Sequence, residues 1–311
     1  MKVLLLQVDG KVPNIALMRI AAHHRSIGDE IQFRRGHTRT LFDSPDLVYA
    51  SAIFERSKPM VERLKADFPA AIVGGTGVDV GSSLEQYGIY TIEQDYSIYP
   101  EFRQSIGFTQ RGCRLRCSFC VVPQKEGSIR AEKTIQQVWR GDPYPRELLL
   151  LDNDFFGQPN WWRRINEINA GKFKVSFNQG INARFLNDET AAAIASVDYR
   201  DDSMKVKRIY TAWDNAKDEM RLMHGLELLV EYGVKPDHIM VYMLCGYWNG
   251  ETHADRDHRR KTLREFGARP YPMPYIRTRE LVGFQRWVIG AYDKRVSWAD
   301  WEAAKYEPRN L

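Results

Sequence analysis

The sequence has few cysteines, no long apolar run and no low-complexity segment. Its 311 residues include four cysteines, which is too few for a disulfide scaffold. Residues 1–9 form a short apolar run that ends in a carboxylate, a pattern that predicts a buried strand rather than a secretory signal. No apolar stretch approaches the roughly 18–20 residues that span a bilayer. We therefore expect a cytoplasmic protein without a membrane span.

The charge balance is only mildly basic. The net charge is +5, with 43% hydrophobic and 27% charged residues, which is ordinary for a globular protein with a sizeable core. Two basic clusters, at residues 34–39 and 256–261, are interrupted by other residue types, and we expect both to be solvated faces. Nucleic acid is a candidate partner that these clusters do not indicate.

Strand-like and helical patterns alternate along most of the chain, which predicts an α/β protein with parallel sheets. Residues 1–95 read as a small Rossmann-like domain, residues 105–275 as a partial (β/α)6 barrel of the TIM type, and residues 276–311 as a C-terminal helical extension. Strands are predicted at residues 3–8, 30–33, 47–51, 71–73, 105–109, 147–151, 174–177, 208–212 and 239–244, and helices near residues 15–22, 58–68, 134–140, 161–170, 188–196, 217–232 and 253–266.

Three of the four cysteines, Cys113, Cys117 and Cys120, lie in one C-x3-C-x2-C run. Three thiolates on a four-iron cube leave one iron open to bind a small molecule. Structural zinc needs four ligands, usually from two short pairs, and this chain has no second cysteine pair. A 4Fe–4S cluster is therefore favoured over zinc. We expect the remaining thiol, Cys245, to be buried in the core, with a role as hydrogen-atom donor as the alternative.

Polar residues follow several of the predicted strands. In a parallel barrel the carboxyl ends of the strands carry the functional residues, so these positions are candidate site residues. They offer carboxylate, amide and guanidinium groups that suit an amino acid's ammonium, a ribose diol and a carboxylate. The candidates are Asp152, Asn153, Asp154, Asn178, Gln179, Arg184, Asp214, Gly246 and Tyr247.

The cysteine run, with Phe119 just before its last cysteine, resembles the signature of the radical S-adenosylmethionine (SAM) superfamily. The resemblance implies that SAM chelates the open iron and is cleaved reductively to methionine and a 5′-deoxyadenosyl radical, which takes a hydrogen from an unknown substrate. An electron donor such as flavodoxin or ferredoxin is implied as partner.

The same resemblance assigns roles to the strand-end candidates. Phe119 takes the aromatic position near the adenine, and Asp152, Asn153 and Asp154 stand where relatives hold the methionine ammonium. Asn178, Gln179 and Arg184 lie where relatives contact ribose or carboxylate. Asp214 falls at another SAM-facing strand end, and Gly246 with Tyr247 is similar to the glycine-rich turn after the sixth strand.

Residues 1–95 resemble a shortened form of the cobalamin-binding domain that precedes many radical SAM barrels, with Gly74 and Gly75 after a buried strand. The D-x-H-x-x-G element that supplies a histidine ligand is absent, and the corresponding residues 9–14 contain no imidazole. Three interpretations stay open: a cobalamin-free enzyme that abstracts hydrogen, a cobalamin-dependent methylase, and a non-catalytic iron–sulfur or zinc protein with a structural or redox-sensing role.

Overall fold

The computed structural model describes residues 1–303. Contacts divide the chain into two compact units. The N-terminal unit comprises residues 1–106 and 115–127, and the C-terminal unit comprises residues 107–114 and the chain from residue 128 onward. The boundary between Arg114 and Leu115 lies inside the cysteine run. The three-part division expected from the sequence stays a prediction.

A four-stranded parallel sheet forms the centre of the N-terminal unit. The elements are β1 (Lys2–Gln7), α1 (Ile15–Ser26), β2 (Glu30–Arg35), β3 (Leu47–Ser51), α2 (Lys58–Asp67) and β4 (Ile72–Gly74), and the strand order is β2-β1-β3-β4. Every residue of β1 after the first is buried, as in a strand covered on both faces. Apolar side chains of β1 and β3 pack with Val61 and Leu64 of α2.

The glycine-rich turn after β4 is closed by the chain's own backbone. Gly75 has φ +104°, and a Cβ there would lie 2.3 Å from the carbonyl oxygen of Ala52. A Cβ on Gly77 would lie 2.4 Å from the carbonyl carbon of Phe54. The Ala52 N–H donates to the Gly74 carbonyl (3.0 Å) and the Gly77 N–H to the Ala52 carbonyl (3.1 Å). These glycines are thus explained by a close backbone approach after β3.

The C-terminal unit contains two parallel sheets and one antiparallel ribbon. Its elements are β6 (Gln110–Arg111), β7 (Arg130–Ala131), α4 (Ile135–Val138), β8 (Glu147–Leu150), α5 (Trp161–Ala170), β9 (Lys174–Phe177), α6 (Asp188–Ser196), β10 (Asp198–Tyr199), β11 (Ile209–Ala212), α7 (Glu219–Glu231), β12 (Ile239–Cys245), α8 (His253–Phe266), β13 (Arg269–Pro274), α9 (Arg279–Ile289) and α10 (Trp298–Ala303). The chain boundary between the units falls within β5 (Ser105–Gly107), and α3 (Val122–Lys125) belongs to the N-terminal unit. Strand pairs β8–β9 and β9–β10 are parallel, and so are β11–β12 and β12–β13, whereas β6 and β7 form the antiparallel ribbon.

The core of the C-terminal unit lies between helices and one face of these strands. Burial alternates along β12, and its buried residues Ile239, Val241, Met243 and Cys245 join the core cluster. Leu281, Phe284, Trp287 and Val288 of α9 pack into the same cluster, as their helical spacing predicts. The mixed α/β class with parallel sheets is confirmed, and the predicted strands and long helices match the observed ones to within a few residues.

The basic cluster at residues 256–261 differs from its prediction as a solvated face. Arg256, Arg259 and Arg260 on α8 are buried. Arg259 pairs with Glu251, and Arg260 pairs with Asp257 at 2.7 Å and Asp293 at 3.0 Å. The three arginines lie on the inner face of the helix, where carboxylates from the same helix and from other segments neutralise them. This expectation was therefore wrong for those three residues.

The sequence predicts that the chain has no membrane-spanning helix. Among residues 1–303, no helix has both the length and the apolar character needed to cross a bilayer.

Candidate functional site

The carboxylate of Asp152, just beyond β8, anchors the chain that enters the cysteine run. Its Oδ1 accepts hydrogen bonds from the N–H groups of Thr109 and Gln110, both at 2.6 Å, and its Oδ2 accepts from the Thr109 hydroxyl at 2.9 Å. Burial raises the pKa of Asp152 to about 7, although these donors act in the opposite direction. The carboxylate thereby joins β8 to the segment after β5.

Gln110 is fully buried beside Asp152 and binds the next backbone groups of the same segment. Its Nε2 donates to the carbonyls of Arg111 (2.9 Å) and Gly112 (2.5 Å), and its Oε1 accepts from the N–H of Asp154 (3.1 Å). Gly112 has φ +79°, a left-handed conformation that favours glycine. Its N–H donates to Asn153 Oδ1 at 3.0 Å. The backbone of residues 109–112 is therefore held by Gln110 and by two residues that follow β8, Asp152 and Asn153.

Asp154 carries the contact that reaches the first cysteine. Its Oδ2 lies 2.9 Å from Arg114 Nε and 3.9 Å from Cys113 Sγ. Burial raises the pKa of Asp154, and the charge of Arg114 opposes that shift. The site thus places an ion pair next to a thiol that the sequence assigns to a metal.

None of the four cysteines, all of which the structure describes, forms a disulfide. Cys113, Cys117 and Cys120 are partly exposed, and the Cys120 N–H donates to the Cys117 carbonyl at 3.0 Å. Phe119 between them is half-buried. Within residues 1–303, no three histidine, cysteine, aspartate or glutamate side chains form a group that could hold a metal ion. Ligation of a cluster by the three partly exposed thiols stays a prediction.

Cys245 is chemically different from the other three cysteines. It is fully buried at the end of β12, its Sγ donates to the Met243 carbonyl at 3.2 Å, and burial raises its thiol pKa to about 11. Such a thiol stays protonated and packs as a small apolar group. This placement agrees with its prediction as a core residue.

Two candidates, Arg184 after β9 and Asp214 after β11, interact through their charges. Arg184 lies 2.5 Å from Asp218 and donates through Nε to Asn182 at 3.0 Å. Burial raises the pKa of Asp214 to about 6, and the charge of Arg184 opposes the rise.

Two other candidates, Asn178 and Gln179, follow β9 more closely. The Asn178 N–H donates to the Leu150 carbonyl at 3.0 Å, which continues the pairing with β8. Gln179 is exposed and donates to Asn178 Oδ1 at 3.3 Å.

The turn after β12 rests on a buried ion pair that the sequence reading missed. The Gly246 N–H donates to Glu251 Oε2 at 2.5 Å, and Glu251 pairs with Arg259. Arg259 also donates to the carbonyls of Trp213 (2.9 Å) and Leu244 (3.0 Å), so it joins the ends of β11 and β12.

Tyr247 packs edge-on against Trp248 and Tyr275, with ring centroids 5.0 and 4.8 Å apart. Trp248 in turn donates to the Asp214 carbonyl at 2.6 Å.

The structure therefore brings Asp152, Asn153 and Asp154 to one place, the entrance of the cysteine run. Their predicted contact with a methionine ammonium stays a prediction, as do the SAM contacts of the other candidates. Sequence reasoning missed Gln110, Glu251 and Arg259. No feature of the sequence distinguishes Gln110 from its polar neighbours Thr109 and Arg111.

Comparison with known proteins adds little to this description. No family model matches the chain, and no curated protein matches it. One solved structure, described as the crystal structure of a mutation variant of SsGBP, is 8% identical and has a TM-score of 0.20 over 99% of this chain and 100% of that chain. A TM-score this low carries no argument about fold or function.

Proposed function

We propose that the protein is a radical SAM enzyme in which Cys113, Cys117 and Cys120 bind a 4Fe–4S cluster. The observation that carries the proposal is the C-x3-C-x2-C run together with the buried polar contacts that hold its entrance. Eight residues span the three thiols, so the covalent chain alone keeps them within reach of one cluster. When bound and reduced, the cluster would supply one electron to the sulfonium of SAM.

The strand order supports a partial (β/α)6 barrel as the scaffold. Parallel strands β8, β9 and β10 are followed in chain order by the parallel strands β11, β12 and β13, with helices α5 to α9 between or after them. This succession is the pattern of a parallel barrel, whose reactions take place at the carboxyl ends of the strands. The candidate residues follow those ends.

The strand-end side chains supply polar partners for SAM. Arg184 offers a cation for a carboxylate, and Asp214 and Asn178 offer oxygen acceptors for an ammonium or a diol. Phe119, Gln179, Gly246 and Tyr247 complete the proposed SAM contacts. A flavodoxin-like or ferredoxin-like donor fits a one-electron reduction, and such a reaction suits the cytoplasm.

The residues of the N-terminal unit do not fit cobalamin, and the proposal does not include it. Asp9, in the loop that would supply a lower ligand, accepts from the N–H groups of Ile53 (2.7 Å) and Phe54 (3.0 Å) and from the Ser57 hydroxyl (2.7 Å). No histidine is present in residues 9–14, and the glycine turn after β4 packs against the backbone of Ala52 and Phe54. A cobalamin-dependent methylase is accordingly disfavoured.

The test is anaerobic. The protein is reconstituted with iron and sulfide, SAM and a strong reductant are added, and 5′-deoxyadenosine is quantified by mass spectrometry. We expect product from the wild-type chain and a loss of at least about 100-fold in Cys117→Ala, because an absent ligand removes the cluster that the chemistry needs. Cys245→Ala is the matched control and should keep its product.

The opposite result would also be informative. A wild-type chain that holds a full cluster and still yields no 5′-deoxyadenosine would contradict the proposal and favour a structural or redox-sensing iron–sulfur protein.

A further inference from the structure

The segment that leads into the cysteine run is bound at every residue from 109 to 112. Gln110 and Thr109 have no exposed surface, and Asp152 is 4% exposed. Burying an amide or a carboxylate without hydrogen bonds costs several kcal/mol, so these side chains can remain inside only while their partners stay in place. The contacts of Gln110, Asp152 and Asn153 therefore fix the backbone and not merely the side chains.

The arrangement also has a direction. Asp152 accepts hydrogen bonds from the N–H groups of residues 109 and 110, and Asn153 accepts one from the N–H of residue 112. Gln110 donates to the carbonyls of residues 111 and 112. The next residue along the chain is Cys113. The three side chains thus fix the direction in which the backbone enters Cys113, the residue that carries the first thiol.

We propose that Gln110, with Asp152 and Asn153, is a positioning device that fixes the backbone leading into Cys113, the first proposed cluster ligand, and so determines how firmly the chain keeps its cluster. This inference rests on the proposed function, since it needs a cluster to be kept. These residues are positioning residues and not catalytic ones, because they contact the loop backbone. The role also gives the Asp152–Asn153 pair a task different from the ammonium contact expected from the sequence.

The chain offers a close control for Gln110. Gln7, at the end of β1 in the N-terminal unit, is also buried, and its Nε2 donates to the carbonyls of Asp9 (3.0 Å), Gly10 (3.1 Å) and Val12 (3.0 Å). Gln→Met removes those bonds at either site with little change in side-chain length. Only one of the two loops carries cysteines.

The experiment compares Gln110→Met, Gln7→Met and the wild-type chain after anaerobic reconstitution. The readouts are iron and acid-labile sulfide per chain, the rate of cluster loss to a chelator and the EPR spectrum of the reduced cluster. Because two hydrogen bonds to the loop backbone are lost, we expect Gln110→Met to lose its cluster about tenfold faster than wild type. Its EPR spectrum should be shifted or broadened, whereas Gln7→Met should behave as wild type.

Asn153→Ala is the second variant, since it removes one acceptor from a half-buried position and should fold even where Gln110→Met does not. We expect cluster loss about two- to threefold faster. Wild-type retention and spectrum in Gln110→Met or, if that variant does not fold, in Asn153→Ala would overturn the inference alone. Equal losses in Gln7→Met and Gln110→Met would overturn it too. A wild-type chain that binds no cluster at all would overturn the proposed function as well.

Discussion

Each unit holds one of its loops with a buried glutamine and a carboxylate, and the two loops carry different residues. In each, a buried glutamine donates to carbonyls of the loop that comes next, Gln7 in one and Gln110 in the other. In each, a carboxylate accepts from two backbone N–H groups and one hydroxyl, Asp9 in one and Asp152 in the other.

What the loop carries separates the two regions. After Gln7 the chain returns directly into α1, where Asn14 caps the helix by accepting from the Leu17 N–H at 3.1 Å. Tyr99 donates to Gln7 at 2.8 Å, and the loop between β1 and α1 contains no thiol. After Gln110 the chain enters the cysteine run beside the Arg114–Asp154 ion pair. A loop held by buried side chains is thus a structural device, and chemistry depends on the residues that it presents.

The first test of this comparison uses Arg259 and Arg35, each of which donates to a backbone carbonyl near the end of a strand. Arg259 is buried with Glu251, whereas Arg35 is exposed and donates to the Gly10 carbonyl at 3.0 Å. We expect Arg259→Met to lower the free energy of unfolding by about 3–5 kcal/mol, because it leaves a buried carboxylate short of a partner. Arg35→Met should cost less than about 1 kcal/mol. Urea unfolding, with hydrogen exchange to assign each change to its unit, measures both. Equal costs would contradict the view that the C-terminal unit depends on buried charge.

Gly75→Ala tests whether the turn after β4 is closed by backbone contact. The new Cβ would meet the Ala52 carbonyl at a residue with φ +104°, so we expect a loss of about 3 kcal/mol or more. Gly28→Ala is the control, because Gly28 has φ +87° but open space around it, and it should cost about 1 kcal/mol. Thermal unfolding of both variants checks the difference. A Gly75→Ala variant as mild as the control would mean that contact with the Ala52 backbone does not close the turn.

The last test concerns pH, where two buried carboxylates should act with opposite sign. Burial raises the pKa of Asp152 to about 7, so the folded protein holds a proton that the unfolded chain releases above the ordinary aspartate value. Its contribution to stability therefore falls as pH rises through that interval. The Arg34 guanidinium beside Asp43 holds the pKa of that carboxyl well below its usual range, so its contribution is lost as pH falls below the ordinary value.

The measurement is urea unfolding from pH 3 to pH 8, a range of roughly the width that these shifts require. Asp152→Asn should flatten the fall in stability between the ordinary aspartate pKa and about 7, and Asp43→Asn should flatten the fall at the acid end. If Asp152→Asn did not change the fall in stability between the ordinary aspartate pKa and about 7, the buried carboxylate would not be the group that titrates in that interval.

Much of the fold could be read from local pattern. The helices Trp161–Ala170, Asp188–Ser196 and His253–Phe266 begin and end at the predicted residues, because caps and apolar spacing are local properties. The prediction of a solvated face at residues 256–261 was wrong, because charge alone does not reveal that Glu251 and Asp293 lie opposite the inner face of this helix. Likewise, nothing local showed that Asp152 and Gln110 would meet across 42 residues.

By itself, the sequence determined the order of strands and helices, the parallel α/β class and the three closely spaced thiols, because each depends on residues within one turn, one strand or one loop. Only the tertiary structure decided which polar side chains are buried and what they bind. It placed Asp152 and Gln110 around the entrance of the cysteine run and closed the glycine turn on the backbone after β3. Those outcomes depend on contacts between distant segments, where burial makes each unpaired polar group costly and so selects the partner.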